Sequence, residues 1–133
     1  MFELRDASHL RTKYRNRKRS LRSALRRTAF ANVVSSRPDF FALVYPAIPK
    51  DMVPFKDMAP AFLACGENDR LNIAQGLPEL YLKIKQAGAS AELHVYSNVG
   101  HGFGLRPTLK GPVATWIDRF YDWMGAKGFL ARS

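Results

Sequence analysis

The amino-acid sequence predicts an α/β fold of about three parallel strands with helices between them, preceded by a basic helical segment. Two stretches, 39–45 and 60–66, are almost entirely apolar and are bounded by proline or glycine, as strands buried on both faces often are. A third stretch, 91–96, alternates apolar and polar side chains and favours a strand nearer the edge of the sheet. Stretches of helical periodicity follow the second and third strands, and this order is typical of a parallel sheet.

The first helix is predicted over 73–87, where apolar residues recur on one face. We expect Asn72 to cap its start and Gly88 to end it. Pro78 fits best if the regular part of the helix begins near it, because proline lacks the N–H that an interior position needs.

The second helix is predicted over 112–124, where large apolar residues form a broad face. Pro112 stands near its first position, and Gly125 is expected just past its end. Both residue types are common at these helix boundaries, since proline has its backbone angle preset and glycine adopts positive φ.

The positive charge is concentrated at the start of the chain. Residues 1–36 hold ten Lys or Arg and two acidic residues, whereas residues 37–133 hold eleven Lys or Arg and nine acidic residues. The stretch 11–27 therefore predicts a solvated basic helix or a contact with nucleic acid or an anionic surface. We divide the chain into a basic segment over 1–34, helical or disordered, and a domain over 35–133.

Composition narrows the class of protein. A hydrophobic content of 47% is that of a globular chain, and no apolar run approaches the roughly 20 residues that span a bilayer. The single cysteine, Cys65, excludes an internal disulfide framework, and one cysteine with three histidines argues against a structural zinc site. No signal peptide is visible, so a cytoplasmic location is the default expectation, and neither a metal nor a cofactor is expected.

Two polar side chains follow neighbouring predicted strands at the same edge of the sheet. Asp69 lies a few residues past the strand 60–66, and His101 lies in the glycine-rich loop past 91–96. Parallel strands that are neighbours lie about 4.8 Å apart and send their loops from one carboxyl edge, so these side chains should meet. A carboxylate there fixes the imidazole tautomer and leaves the other ring nitrogen as a general base.

Each of these residues also has a simpler interpretation. Asp69 in a "GEND" turn can be a turn or capping residue, and His101 can be an ordinary polar loop residue. The pair on successive loops favours a catalytic acid and histidine, and the three alternating glycines would let the backbone turn tightly and keep bulk away from the imidazole. His94 and His9 are assigned no function.

Four stretches, "RPDFFALVYP", "MAPAFLACGENDRL", "LYLKIKQAGASAELHVY" and "GHGFGLR", together resemble α/β-hydrolase-fold esterases. The similarity is to dienelactone-hydrolase-like and acetyl-xylan or feruloyl esterase-like members, and it covers about residues 35–130. The resemblance implies the C-terminal part of that fold and a carboxylic-ester hydrolase acting on acylated sugars or other small esters. It also implies that Asp69 orients His101 and that His101 activates a serine.

The chain departs from this pattern at the nucleophile. The family holds its serine in a G-x-S-x-G turn ahead of the aspartate, but no glycine precedes Gly66 here. We therefore assign no nucleophile and expect a truncated chain that is inactive alone. The Arg-rich residues 1–34 have about the length that follows the serine in such esterases, and we hypothesise that they are translated out of frame.

Two other functions remain open. The chain can be a non-catalytic hydrolase remnant or interaction protein, or a basic nucleic-acid-associated protein acting through 11–27, although nothing beyond charge supports the latter. The predicted strand at 40–45 would border the missing part of the sheet. Its unpaired edge is an expected site of self-association.

Overall fold

The computed structural model describes residues 36–130, which form two compact units, Arg37–Ala114 and a second unit that contains 115–130. The first unit holds a three-stranded parallel sheet in the order β1-β2-β3. The strands are listed by their bounds: β1 Phe41–Val44, β2 Ala61–Gly66 and β3 Ala91–Tyr96. The predicted α/β class and the three parallel strands are confirmed. The basic segment over 1–34, with 11–27 and His9, lies outside the described residues.

The central strand β2 is completely buried, as its apolar sequence predicts. Its register pairs Ala61 with Phe41 on one side and with Ala91 on the other. By contrast, β1 is half-buried and its Ala42 is exposed, so the prediction of burial on both faces was wrong for this strand. Within the described residues β1 pairs on one side only, and self-association through its other edge stays a prediction.

The strand β3 is an edge strand of the described sheet, in agreement with its alternating sequence. Leu93 packs against the core, but Val95 on the same face is 45% exposed. The apolar pattern therefore overstated the burial of Val95, whereas Tyr96 at the carboxyl end of the strand is buried.

The helix predicted over 73–87 is divided in two. A short α1, Leu71–Ala74, leads through Gln75 into α2, Gly76–Gln86. The predicted cap at Asn72 was wrong, because Arg70 occupies the N-cap position and Asn72 lies inside α1. The Arg70 N–H is instead bonded by the Asp69 carboxylate, so the helix start and the site share one side chain.

The two ends of α2 agree with the sequence. Pro78 lies in the first turn, where its missing N–H is harmless. At the other end Gly88 has a φ of 81°, and the N–H groups of Gly88 and Ala89 bond the carbonyls of Lys85 and Ile84. This is the Schellman pattern of helix termination.

The core of the first unit lies between α1, α2 and one face of the sheet. The residues of this core are apolar, are completely or almost completely buried, and recur at the spacing of one helix face or one strand face. The central members are Ile73, Leu77, Leu80 and Ile84 from the helices and Ala61, Leu63 and Cys65 from β2. Burial of each large side chain contributes about 1.5–3 kcal/mol, and this packing fixes the carboxyl end of β2.

The last helical segment begins as a 3₁₀ turn, Pro112–Thr115, and continues as α3, Trp116–Ala126. Pro112 is at its first position, as predicted. The predicted end at Gly125 was wrong, because the chain first turns left-handed at Gly128, with a φ of 77°. The N–H of Phe129 bonds the Met124 carbonyl and completes a second Schellman motif.

No helix within 36–130 is long and apolar enough to cross a membrane.

Candidate active site at the carboxyl edge of the sheet

The turn that carries Asp69 is joined by hydrogen bonds to the loop that follows β3. The N–H of Glu67 donates to the Tyr96 carbonyl, and the N–H of Asn68 donates to the Val99 carbonyl, both at 2.9 Å. The Glu67 carboxylate in turn accepts a 2.9 Å hydrogen bond from the N–H of Asn98. These bonds set the two loops side by side along the sheet edge.

Gly66 allows this close approach. A β-carbon at this position would overlap the Val99 carbonyl group and would lie 2.9 Å from the Gly100 carbonyl oxygen. No side-chain rotation can relieve an overlap with backbone. Glycine at the end of β2 therefore lets the histidine loop cross over it.

Asp69 and His101 meet as the sequence predicts. The imidazole Nδ1 lies 2.9 Å from Asp69 Oδ1 and 3.1 Å from Oδ2. The Asp69 side chain is 0% exposed, whereas the His101 side chain is 39% exposed. With Nδ1–H donating to the buried carboxylate, the Nε2 lone pair is left for a proton transfer at the surface of the unit.

The loop glycines act through the backbone. Gly102 and Gly104 have φ values of 72° and 56°, in the left-handed region that other residues seldom adopt. A β-carbon at either would meet no atom within 4 Å. The expectation that these glycines keep bulk away from the imidazole was therefore wrong for this pair, and their role is to turn the chain.

Sequence reasoning missed Tyr45, the residue directly after β1. Its ring centre lies 5.2 Å from that of His101 at an interplanar angle of 70°, an edge-to-face contact. The position of Tyr45 at the end of a parallel strand was the available signal, because all three strand ends share one edge. The run was interpreted only as the end of an apolar strand.

Cys65 lies close to the site but is not suited to act as a nucleophile. It is fully buried, and burial followed by the negative charge of Asp69 raises the pKa of its thiol above the ordinary value. The thiolate is the reactive form of cysteine, and here it is disfavoured.

The other histidine of the first unit is placed quite differently. His94 is on β3 itself and has its Nε2 2.8 Å from the Glu92 carboxylate two residues before it. Both side chains are partly exposed, at 25% and 44%. Within 36–130 no cluster of three or more histidine, cysteine, aspartate or glutamate side chains could hold a metal ion.

A groove of about 660 Å³ lies beside the helices of the first unit and is separate from the acid–histidine pair. Its walls come from the loop after β1 and from α1 and α2. Apolar residues such as Ile48, Met52 and Leu80 line it together with Lys50 and Lys83. Neither Asp69 nor His101 lines the groove.

Comparison with known proteins identifies one family. The family model described as the dienelactone hydrolase family matches residues 28–115 and so includes all three strands, Asp69 and His101. No curated protein matches the chain. No solved structure matches it either.

Proposed function

The chain belongs to the dienelactone hydrolase family of α/β hydrolases, and on that premise we propose that it supplies the acid and base of a serine carboxylic-ester hydrolase. Asp69 is the orienting acid and His101 the general base. Acylated sugars and other small carboxylic esters are the proposed substrates.

One observation carries the proposal: the Asp69 carboxylate is fully buried and bonded to Nδ1 of an imidazole that is 39% exposed. A carboxylate at Nδ1 fixes the Nδ1–H tautomer and stabilises the imidazolium that forms during the reaction. His101 Nε2 would take the proton of a serine hydroxyl as its oxygen attacks the ester carbonyl carbon. The same proton would then pass to the departing alcohol, leaving an acyl-serine that water hydrolyses by the same route.

The serine itself is proposed to lie outside this sequence. The 133 residues contain no G-x-S-x-G, and the buried Cys65 thiol cannot replace it. Because the His101 ring contacts Tyr45 after β1, we favour a serine that approaches from the β1 side of the sheet. Residues 1–34 have about the length of the chain that follows the serine in such esterases, and they stand where that stretch would be. Coding DNA with a G-x-S-x-G in an alternative upstream frame would support the out-of-frame hypothesis, and its absence from both frames would refute it.

Activity tests should use the full chain and a chimera. In the chimera, residues 1–34 are replaced by the N-terminal part of a dienelactone hydrolase family member, through its serine turn and the helix after it. The full chain is expected to turn over p-nitrophenyl acetate no faster than its own His101→Ala variant. The chimera should hydrolyse the ester, and His101→Ala should reduce its kcat by about 10⁴-fold or more.

His94→Ala is the matched control, since it removes the other histidine that pairs with a carboxylate in the same sheet. Its kcat in the chimera should stay within about twofold of the parent, because surface ion pairs contribute little. A folded chimera without His101-dependent turnover would favour the non-catalytic alternative. Turnover by the full chain that depends on His101 would show that the serine need not come from elsewhere.

A further inference from the structure

Tyr45 has an unusual backbone conformation. Its φ is 46°, and within the described residues only Asn98 shares a positive φ without being glycine. A tyrosine in this region brings its β-carbon close to the following carbonyl, which the left-handed conformation penalises. Pro46 follows and adds a second restriction, because the residue before a proline prefers extended backbone.

This strained conformation is held in place from both directions. The N–H of Tyr45 donates a 2.7 Å hydrogen bond to the Ala64 carbonyl and so continues the β1–β2 ladder by one residue. On the side-chain end, the Tyr45 ring meets Phe103 edge to face, with centroids 4.8 Å apart. Phe103 is 3% exposed and contacts Tyr96 in the same manner at 6.0 Å.

The held ring restrains His101 in a direction that Asp69 leaves open. The hydrogen bonds at Nδ1 fix one ring atom, but the imidazole can still tilt about the line that joins Nδ1 to the carboxylate. The edge-to-face contact with Tyr45 opposes that tilt. It thereby sets the direction in which Nε2 points.

We propose that Tyr45 is a positioning residue for His101, with its left-handed turn directing an aromatic ring against the imidazole. Three strand ends then converge on one ring: Tyr45 after β1, Asp69 after β2 and His101 itself after β3. The meaning of this contact for catalysis rests on the proposed hydrolase function. The contact and its effect on the imidazole do not, and they can be tested without any turnover.

The test is histidine-ring NMR on the full 133-residue chain labelled with ¹⁵N and ¹³C. In the unsubstituted protein, nuclear Overhauser contacts are expected between the Tyr45 and His101 ring protons, and the Nδ1–H tautomer should dominate. Tyr45→Phe keeps the ring and should preserve both features. Tyr45→Leu should leave the tautomer that Asp69 fixes in place but increase the ring motion of His101 in ¹³C relaxation relative to the unsubstituted protein.

Tyr81→Leu is the control, because Tyr81 is a partly buried tyrosine that packs on the core through α2. It should leave the His101 signals unchanged. A general loss of stability would change the His101 signals in both Tyr45→Leu and Tyr81→Leu, whereas a positioning role predicts a change in Tyr45→Leu alone. Unchanged His101 ring motion in a folded Tyr45→Leu protein would overturn the proposal. If that variant does not fold, absence of the Tyr45–His101 ring contacts in the unsubstituted protein would overturn it instead.

These outcomes separate the two proposals. A chimera without esterase activity but with Tyr45-dependent ring motion of His101 would refute the hydrolase function and retain the positioning role. An active chimera in which Tyr45→Leu leaves both kcat and His101 ring motion unchanged would retain the hydrolase function and refute the positioning role.

Discussion

Two pairs of histidine and carboxylate are associated with the same sheet, and they differ in whether the carboxylate is buried. Asp69 and His101 join loops 32 residues apart, whereas Glu92 and His94 are two residues apart on one strand. The hydrogen-bond distances are nearly equal, at 2.9 and 2.8 Å. In the first pair the carboxylate is fully buried and the imidazole is partly exposed, but in the second both side chains are partly exposed.

That difference shows why distance alone does not identify an acid–histidine site. A buried carboxylate cannot exchange its partner for water, so it holds the imidazole in one tautomer. A partly exposed pair competes with solvent and contributes about 0–1 kcal/mol. The arrangement of burial, with the acid inside and the base outside, is what makes His101 suitable for proton transfer.

The largest expected effect separates the two carboxylates by activity. In the chimera, Asp69→Asn should lower kcat by about 10⁴-fold, because asparagine can favour the wrong imidazole tautomer without altering the shape of the site. Glu92→Gln should change kcat by less than about twofold. Steady-state hydrolysis of p-nitrophenyl acetate measures both. Equal losses from the two substitutions would contradict the distinction between the pairs.

The next largest effect concerns Gly66, over which the loop that carries His101 crosses. Only the Asp69–His101 pair depends on this crossing. Gly66→Ala should lower the free energy of unfolding by roughly 2–4 kcal/mol, since the new methyl group overlaps the Val99 carbonyl. Gly100→Ala is the control, because its β-carbon would come no closer than 3.9 Å to the Asn68 carbonyl oxygen. That variant should stay within about 0.5 kcal/mol of the parent in urea unfolding. A tolerated Gly66→Ala would show that the loops do not cross as described.

A smaller expected effect is a pH dependence of stability that arises from the Cys65 thiol, which lies near the charge of Asp69. An unfolded thiol ionises near its ordinary pKa of 9.0, but burial and Asp69 raise the pKa in the folded protein. The unfolded state therefore releases its proton first, and stability falls as pH rises between the two values, by at most about 1.4 kcal/mol per pH unit. Unfolding free energies measured from pH 7 to 10.5 should show this slope in the parent and lack it in Cys65→Ala.

Substitution of the two acids sharpens that measurement. Asp69→Asn should narrow the pH window while leaving most of the slope, because burial is the larger cause of the raised pKa. Glu92→Gln should leave the window unchanged. Parallel stability curves for the parent and Cys65→Ala would show that the thiol is not protected.

The smallest expected effect is that glycine is more stabilising than alanine at Tyr45, just after β1, but less stabilising than alanine at Ala42 within β1. Tyr45→Gly should be more stable than Tyr45→Ala by about 1 kcal/mol, because glycine accepts the positive φ and both variants lose the ring. At Ala42, an exposed residue of the same strand, glycine should instead lower stability by roughly 0.5–1 kcal/mol. Thermal or urea unfolding measures both comparisons. A glycine variant less stable than the alanine form at both positions would contradict the strained turn at Tyr45.

The sheet and the meeting of Asp69 with His101 could be predicted from the sequence, because parallel strands place their following loops at one edge regardless of detail. The contribution of Tyr45 could not, since it depends on a left-handed turn before a proline, against the usual preference of that position. The end of α3 was misplaced because Gly125 and Gly128 look alike as stop signals. The better signal is Phe129, whose ring lies 6.0 Å from that of Trp123 and provides the apolar contact typical of a Schellman end.

The hydrogen bonds between the turn at 67–69 and the loop at 96–99 also make the pair modular. Both partners, and most of the backbone contacts that align them, lie within 61–104, a continuous stretch of chain. A recombination joint placed in the connection between β1 and β2 would leave the distance from Asp69 to His101 intact. Gene fusion or exchange at that connection could therefore join the acid and base to a different serine-bearing half without rebuilding either residue's position.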